Sequence, residues 1–155
     1  MYSGEAITVL DEKNRVTVPR KYRDVMDGLG HSQWFMTRGF DKSIFLFPRQ
    51  QWDIIRGQAA RYSSMDAHAI DFRRMFFGSV EEVQLDKQNR VPVPQHLREH
   101  AGIDKDVVFT GVDDHLELWS RENWLAFRER QENAFKQTAA ALFTPQPVEA
   151  AASRG

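Results

Sequence analysis

A ten-residue segment that occurs twice constrains the fold of this chain more than any other feature of its sequence. LDEKNRVTVP at residues 10–19 returns as LDKQNRVPVP at residues 85–94, with seven of the ten positions identical. Matching residues continue downstream at offsets of 75 and then 72 residues, as far as Trp52 and Trp124. The chain is therefore predicted to contain two repeats of one plan, at residues 5–53 and 80–125.

Each repeat has the pattern of two short strands joined by a tight loop, followed by a short helix and a hairpin. The four residues after Leu10 and after Leu85 contain Asp and Asn, which favour turns. The alternating valines that follow are typical of a half-buried strand. The helix is predicted to begin after Pro19 and after Pro94, because proline is tolerated in the first helical turn. Pro92 lacks an N–H for a strand ladder and predicts an edge strand.

The remaining segments are predicted to flank the two repeats. Helical spacing of apolar residues indicates a connector at residues 54–79 and a C-terminal helix at residues 126–143. The Pro- and Ala-rich residues 144–155 predict a disordered tail. One repeat is too small to bury its own sheet, so the two are expected to pack together as pseudo-symmetric halves.

The overall composition limits the classes of function. The net charge is −1, from 21 basic and 22 acidic residues, so binding to nucleic acid through bulk positive charge is not expected. Positive charge is concentrated from Lys13 to Arg23, where five basic residues have no acidic residue among them. The absence of cysteine excludes disulfides and zinc–thiolate sites. We expect a soluble, cytoplasmic protein with no membrane partner, no cofactor and no small-molecule substrate.

The Asp and Arg of the repeated segment need an explanation beyond packing. A single Asp-x-x-x-Arg pair is usually a surface ion pair worth about 0–1 kcal/mol. Two copies in one local context, beside Lys13 and Lys87, favour DNA binding instead. Arginine forms paired hydrogen bonds with guanine or with phosphate, and the aspartate is expected to orient that arginine.

The two segments, in this order, resemble the paired Asp-x-x-x-Arg motifs of the MraZ family, within the AbrB-like swapped-hairpin barrel superfamily. The resemblance covers residues 1–143 and includes Gly4, the Arg23 and Arg98 pair, and the segments LFPRQQW and LWSRENW. It implies an α+β fold in which two AbrB-like repeats form a pseudo-twofold double-psi or swapped-hairpin β-barrel with flanking helices. It also implies a ring-shaped homo-oligomer that binds double-stranded DNA.

The same resemblance implies a target and a set of contact residues. The family recognises short direct repeats in the promoter of a cell-division and cell-wall gene cluster that includes its own gene, which implies association with the nucleoid. Arg15 and Arg90 are the implied DNA-contacting pair, and Arg15 is expected to contribute more because Gln88 stands where the first copy has Lys13. The predicted DNA contacts are Lys13, Arg15, Arg20, Lys87 and Arg90. The structural motif residues are Asp11, Asn14, Asp86 and Asn89.

Two other functions remain open from the sequence. HLREH at residues 96–100 matches the inverted zincin pattern, which would make His96 and His100 zinc ligands and Glu99 the base of a peptidase. The helix predicted there is short and its counterpart in the first repeat has no ligands, so exposed surface histidines are the favoured interpretation. An AbrB-like antitoxin, whose tail at residues 144–155 would cover a toxin, is the second alternative.

Overall fold

The computed structural model describes residues 1–63 and 65–144. Within those residues the chain forms eight strands and six helices, together with short 3-10 turns at Phe40–Lys42 and Phe77–Ser79. The strands are β1 (Tyr2–Val9), β2 (Arg15–Thr17), β3 (Trp34–Arg38), β4 (Ile44–Pro48), β5 (Glu81–Val83), β6 (Arg90–Pro92), β7 (Asp106–Asp113) and β8 (Leu116–Trp119). The helices are α1 (Arg20–Leu29), α2 (Arg49–Ala59), α3 (Ala67–Phe76), α4 (Gln95–Ala101), α5 (Arg121–Glu132) and α6 (Phe135–Phe143).

The two repeats exchange their first strands. Six antiparallel strands form one sheet in the order β1-β7-β8-β4-β3-β5. In that sheet β1 of the first repeat pairs with β7 of the second, and β5 of the second pairs with β3 of the first. Each hairpin is therefore completed by a strand from the other repeat, which explains physically why the plan is written twice. The α+β class and the two-repeat organisation are confirmed.

The strands of the expected barrel do not close into a continuous ring of hydrogen bonds. Strands β1 and β5 are the two outer strands of the six-stranded sheet, and each has a single hydrogen-bonded neighbour in it. The loops that follow these outer strands turn the chain into a separate two-stranded ribbon of β2 and β6. Because the ribbon forms its own ladder, it does not join the outer strands into a continuous, closed set of hydrogen bonds.

A pseudo-twofold axis relates the two repeats. At the centre of the sheet Phe45 pairs with its repeat-equivalent, Glu117. In the ribbon, Val16 pairs with its own repeat-equivalent, Val91. Because equivalent residues face each other at both places, the axis passes through the middle of the β4–β8 pair and through the middle of the ribbon.

The motif valines and prolines have the roles that the sequence indicates. The valines, which are Val16, Val18, Val91 and Val93, are fully buried in the main core between the ribbon and the sheet. Helices α1 and α4 begin directly after Pro19 and Pro94. They end at Gly30 and Gly102, whose φ angles of 68° and 65° lie in the left-handed region that favours glycine.

Helices α2 and α3 form the connector and enclose a second, aromatic core. Trp52 of α2 is buried and stacks on Phe35 at a ring-centroid distance of 5.1 Å and on Phe76 at 5.6 Å. Phe45 and Phe47 of β4 complete this cluster. The connector is therefore attached to the sheet by close aromatic packing.

The chain divides into two compact units, with a boundary after Trp124. The segment predicted as one C-terminal helix consists of two helices, α5 and α6, which are separated at Asn133 and Ala134. The predicted disordered tail lies outside the described residues, apart from Thr144. The domain boundaries drawn from the sequence stay predictions.

Candidate nucleic-acid interface

The first Asp-x-x-x-Arg segment forms a turn that is built on the aspartate. One carboxylate oxygen of Asp11, Oδ1, accepts hydrogen bonds from the backbone N–H groups of Lys13 and Arg15, at 2.9 Å each. The other, Oδ2, accepts the Nε–H of Arg15 at 2.8 Å. The Asp11 N–H in turn donates to the Arg15 carbonyl oxygen at 2.8 Å. The aspartate thus closes the turn and orients the arginine that follows four residues later.

The second segment repeats this geometry bond for bond. Oδ1 of Asp86 accepts the N–H groups of Gln88 and Arg90 at 2.9 Å, and Oδ2 accepts the Arg90 Nε–H at 2.9 Å. Asn14 and Asn89 have φ angles of 57° and 62°, a left-handed conformation that asparagine tolerates better than most residues. The repeated Asp, Asn and Arg are therefore explained by one turn that needs all three.

Both carboxyl groups are held in the ionised form. The backbone hydrogen bond from Arg15 is the largest cause that lowers the pKa of Asp11, with further contributions from the Arg15 side chain and the Lys13 N–H. The pKa of Asp86 is lowered by the corresponding bonds from Arg90 and Gln88. Each carboxylate binds its arginine through Nε, and among the described residues no group accepts a hydrogen bond from the Nη atoms of Arg15. That end of the guanidinium remains available to a ligand.

The ribbon register brings the two arginines to one surface. Arg15 lies opposite Pro92, and Thr17 lies opposite Arg90. Val16 and Val91, the central pair of the ribbon, face the core. Because side chains alternate along a strand, those of the flanking pairs, Arg15–Pro92 and Thr17–Arg90, point outward. The side chains of Arg15 and Arg90 are 28% and 25% exposed, and Nη1 of Arg90 reaches to 3.7 Å from Oδ2 of Asp11. We call this outward surface, with the two turns, the ribbon face.

The other three predicted contacts lie in the two turns or beside them. Lys13 and Lys87 are exposed residues within the two turns. Arg20, at the start of α1, lines a cleft of about 680 Å³ together with Asp86 and Asn89. In the ribbon the first repeat crosses the second, and the Val18 N–H of the first donates to the Asn89 carbonyl oxygen of the second at 2.9 Å. A basic residue of the first repeat is therefore placed beside the turn of the second.

Three other basic residues of the repeats have intramolecular partners. Nε of Arg23 donates to the Val18 carbonyl oxygen at 3.0 Å, and the Arg98 side chain donates to the equivalent Val93 carbonyl oxygen. Nζ of Lys21 donates to the carbonyl oxygen of Glu5 at 2.5 Å. Arg23 and Arg98 therefore each tie a helix to the residue that directly follows the preceding strand. The sequence signal for this role was the constant spacing of five residues from the last motif valine.

Comparison with known proteins decides the family. The model of the family described as "MraZ protein, putative antitoxin-like" matches residues 1–75 and again residues 75–145. The chain belongs to the MraZ family. Each match contains one of the two repeats, and the resemblance stated from the repeated motif is confirmed.

Relatives named "Transcriptional regulator MraZ" match nearly the whole chain. The protein of Syntrophomonas wolfei subsp. wolfei is 37% identical over 139 residues, which are 90% of this chain and 94% of that relative. The protein of Clostridium beijerinckii is 40% identical over 129 residues, or 83% of this chain and 88% of the relative. The protein of Heliobacterium modesticaldum is 34% identical over 142 residues, or 92% and 96%. The MraZ relatives are regulators by name, not enzymes.

The histidines of the zincin-like segment have structural contacts in this MraZ chain. Nε2 of His96 lies 3.0 Å from the Ser79 carbonyl oxygen. His100 is half-buried rather than exposed, with Nε2 at 3.2 Å from the Gly39 carbonyl oxygen and Nδ1 at 3.2 Å from Nη1 of Arg38. Glu99 accepts a hydrogen bond from Gln95. The two histidines therefore attach α4 to Arg38, Gly39 and Ser79 of the same chain. With the family known, the peptidase hypothesis is set aside.

No cluster of three or more His, Cys, Asp or Glu side chains within residues 1–63 and 65–144 is arranged to hold a metal ion. Among these same residues, no helix is both long enough and apolar enough to cross a membrane.

Proposed function

We propose that this MraZ chain is a DNA-binding transcriptional regulator and that the ribbon face is its DNA-reading surface. The observation that carries the proposal is the placement of Arg15 and Arg90 on one outward surface, each oriented by an aspartate through Nε. In this proposal both arginines contact base edges or phosphates. Lys13, Lys87 and Arg20 add phosphate contacts around them.

The geometry suits the major groove of DNA. A two-stranded ribbon fits that groove, and arginine pairs with guanine O6 and N7 through two hydrogen bonds. The Asp–Arg contacts limit the rotamers of the guanidinium before DNA arrives, which lowers the entropy lost on binding. The aspartates also neutralise part of the local charge, so one ribbon face should bind weakly by itself.

Several ribbon faces linked in a ring would overcome that weakness. The net charge of the chain is only −1, and non-specific contacts of a few cations give dissociation constants of about 10⁻⁴–10⁻⁶ M. Linked sites gain about 10²–10⁴ in avidity without any new type of contact. We therefore propose a ring-shaped homo-oligomer that binds short direct repeats, in the promoter of the cell-division and cell-wall gene cluster that includes its own gene. Such a protein would be cytoplasmic and associated with the nucleoid.

The test is footprinting and gel-shift titration on the DNA upstream of its own gene, at two salt concentrations. The double variant Arg15→Ala/Arg90→Ala is expected to lose about 100-fold or more in affinity, since each bidentate pair contributes about 1–3 kcal/mol. The matched control is Arg74→Ala, which removes an exposed Arg–Asp pair of 3.1 Å that lies on α3 instead of the ribbon face. Retention of affinity in the double variant, with an unchanged oligomer in size-exclusion chromatography, would reject the ribbon face.

An antitoxin is the second candidate, because the description of the matching family includes the words "antitoxin-like". The segment that the sequence suggests for covering a toxin, residues 144–155, lies outside the described residues apart from Thr144. Co-purification of a stable small protein partner from the native host would favour this function. DNA binding by the isolated oligomer, with no partner retained, would favour the regulator.

A further inference from the structure

The pseudo-twofold axis through the ribbon has a consequence for the way the ribbon face meets DNA. If the two halves of this face were identical, the protein would bind a site equally well in two opposite orientations. The axis relates Arg15 to Arg90 and their turns to each other, and the turn hydrogen bonds match. Any preference for one orientation must therefore come from positions where the two halves differ.

The two turns differ at Glu12 and Lys87 and at Lys13 and Gln88, and the two strands differ at the outward positions that lie between the arginines. The axis relates Thr17 to Pro92, so one half presents a hydroxyl and a methyl group where the other presents an apolar ring. Both residues are exposed. Thr17 lies directly opposite Arg90 and Pro92 directly opposite Arg15, so the two arginines have chemically different neighbours across the ribbon.

The hydrogen-bond pattern brings each of these pairs close together. Ribbon bonds run from the Val18 N–H to the Asn89 carbonyl oxygen at 2.9 Å and from the Val93 N–H to the Asn14 carbonyl oxygen at 3.0 Å. Alternation along an antiparallel ladder makes Arg15–Pro92 and Thr17–Arg90 non-hydrogen-bonded pairs, whose side chains are the closest of a ladder. Pro92 therefore removes no hydrogen bond from the ribbon, although its sequence position suggested that it would.

We propose that Thr17 and Pro92 are specificity-determining residues that give the ribbon face a single orientation on DNA. The inference rests on the proposed function. Thr17 extends the contact of Arg90 with a hydroxyl that donates and accepts hydrogen bonds and a methyl that packs on thymine, whereas Pro92 offers Arg15 only apolar contact. The matching site is an asymmetric sequence, which can be repeated directly along a promoter but has no internal twofold symmetry.

The absence of cysteine makes the orientation measurable in the full-length oligomer. Glu12→Cys places a unique thiol on an exposed acidic position of the first turn, where a tethered iron–EDTA reagent can cut nearby DNA. The probe DNA is the promoter with its repeats, and a second probe has one repeat inverted. The variants are Pro92→Thr, which makes the two outward positions alike, and the matched control Pro92→Ala, which leaves them different. Thermal melting checks the fold of each.

With Thr17 and Pro92 both present, we expect cuts on the same side of every repeat and a loss of about tenfold in affinity when one repeat is inverted. Pro92→Thr should cut on both sides and lose less than about threefold on inversion, whereas Pro92→Ala should still cut on one side. Two-sided cutting by the protein with its natural Thr17 and Pro92 overturns the proposal, and so does one-sided cutting by a folded Pro92→Thr variant. Absence of any protected or cut repeat rejects the proposed function itself.

Discussion

The turn of the first repeat and the turn of the second have the same internal hydrogen bonds but different surroundings. Asp11 faces two guanidinium groups, with Nε of Arg15 at 2.8 Å and Nη1 of Arg90 at 3.7 Å. Asp86 forms an ion pair with Arg90 alone among the described residues, at 2.9 Å. The internal bonds follow from five consecutive residues, so they recur. The surroundings depend on where the rest of the chain crosses, so they differ.

The surroundings also change the charge around each turn. Residues 11–15 contain two acidic and two basic side chains, whereas residues 86–90 contain one acidic and two basic. Arg20 lines the cleft beside the second turn although it belongs to the first repeat. The basic stretch that follows the first motif in the sequence therefore does not make the first turn the more positive of the two.

Among the single substitutions, those of Arg15 and Arg90 should cause the largest loss of DNA affinity, and they compare the two turns directly. Arg15→Ala and Arg90→Ala should each weaken promoter binding by about tenfold or more, because each would lose a bidentate contact. We expect the two effects to agree within about threefold, since the turns have the same internal geometry. Gel-shift titration of both variants beside Arg74→Ala measures this. A much larger effect of Arg15→Ala would support the ranking that Gln88 suggested from the sequence.

Asp11 and Asp86 should contribute by different amounts to the stability of the folded protein at low pH. Their pKa values are lowered in the folded protein by bonds from Arg15 and Arg90, so the unfolded chain binds more protons at these groups. Their contribution to stability is therefore present above the unfolded pKa of about 3.9 and is lost as pH falls through the folded pKa values. Asp11→Asn and Asp86→Asn should both flatten the fall in melting temperature between about pH 5 and 3.

The size of that flattening distinguishes the two turns. Asp11→Asn should flatten the curve more than Asp86→Asn, because only Asp11 faces both arginines. Melting curves of the two variants at matched pH and salt give the comparison. Identical curves would show that the contact of 3.7 Å between Arg90 and Asp11 contributes nothing measurable.

The smallest effect on DNA binding is expected at the duplicated pair outside the turns. Arg23→Ala and Arg98→Ala each remove a bond to a backbone carbonyl oxygen and should destabilise the fold by about 1 kcal/mol. Their affinity for the promoter should stay within about twofold of that of the unsubstituted protein, because these side chains are directed to the backbone. Chemical denaturation and gel-shift assays on the same preparations separate the two effects. A large loss of DNA affinity in a stable Arg23→Ala oligomer would add that residue to the interface.

The sequence by itself determined the features that depend on near neighbours. The Asp-x-x-x-Arg turn is closed by bonds within five residues, and its Asn adopts a left-handed conformation that few other residues tolerate. Pro19 and Gly30 delimit α1 through their own backbone restrictions. The alternating valines all point to one side of an extended segment, and that side is buried. The repeated motif was also enough to indicate the MraZ family.

Only the tertiary structure decided how these local elements combine. The exchange of β1 and β5 between hairpins, the open sheet, and the place of Arg20 beside Asp86 all depend on pairing between residues far apart in the chain. Duplication alone did not distinguish Arg15 and Arg90, which face outward, from Arg23 and Arg98, which bond to backbone carbonyl oxygens. The physical reason is that neighbouring residues in the sequence fix the local backbone conformation. The contacts of a side chain with distant residues depend on which strands pair beside it.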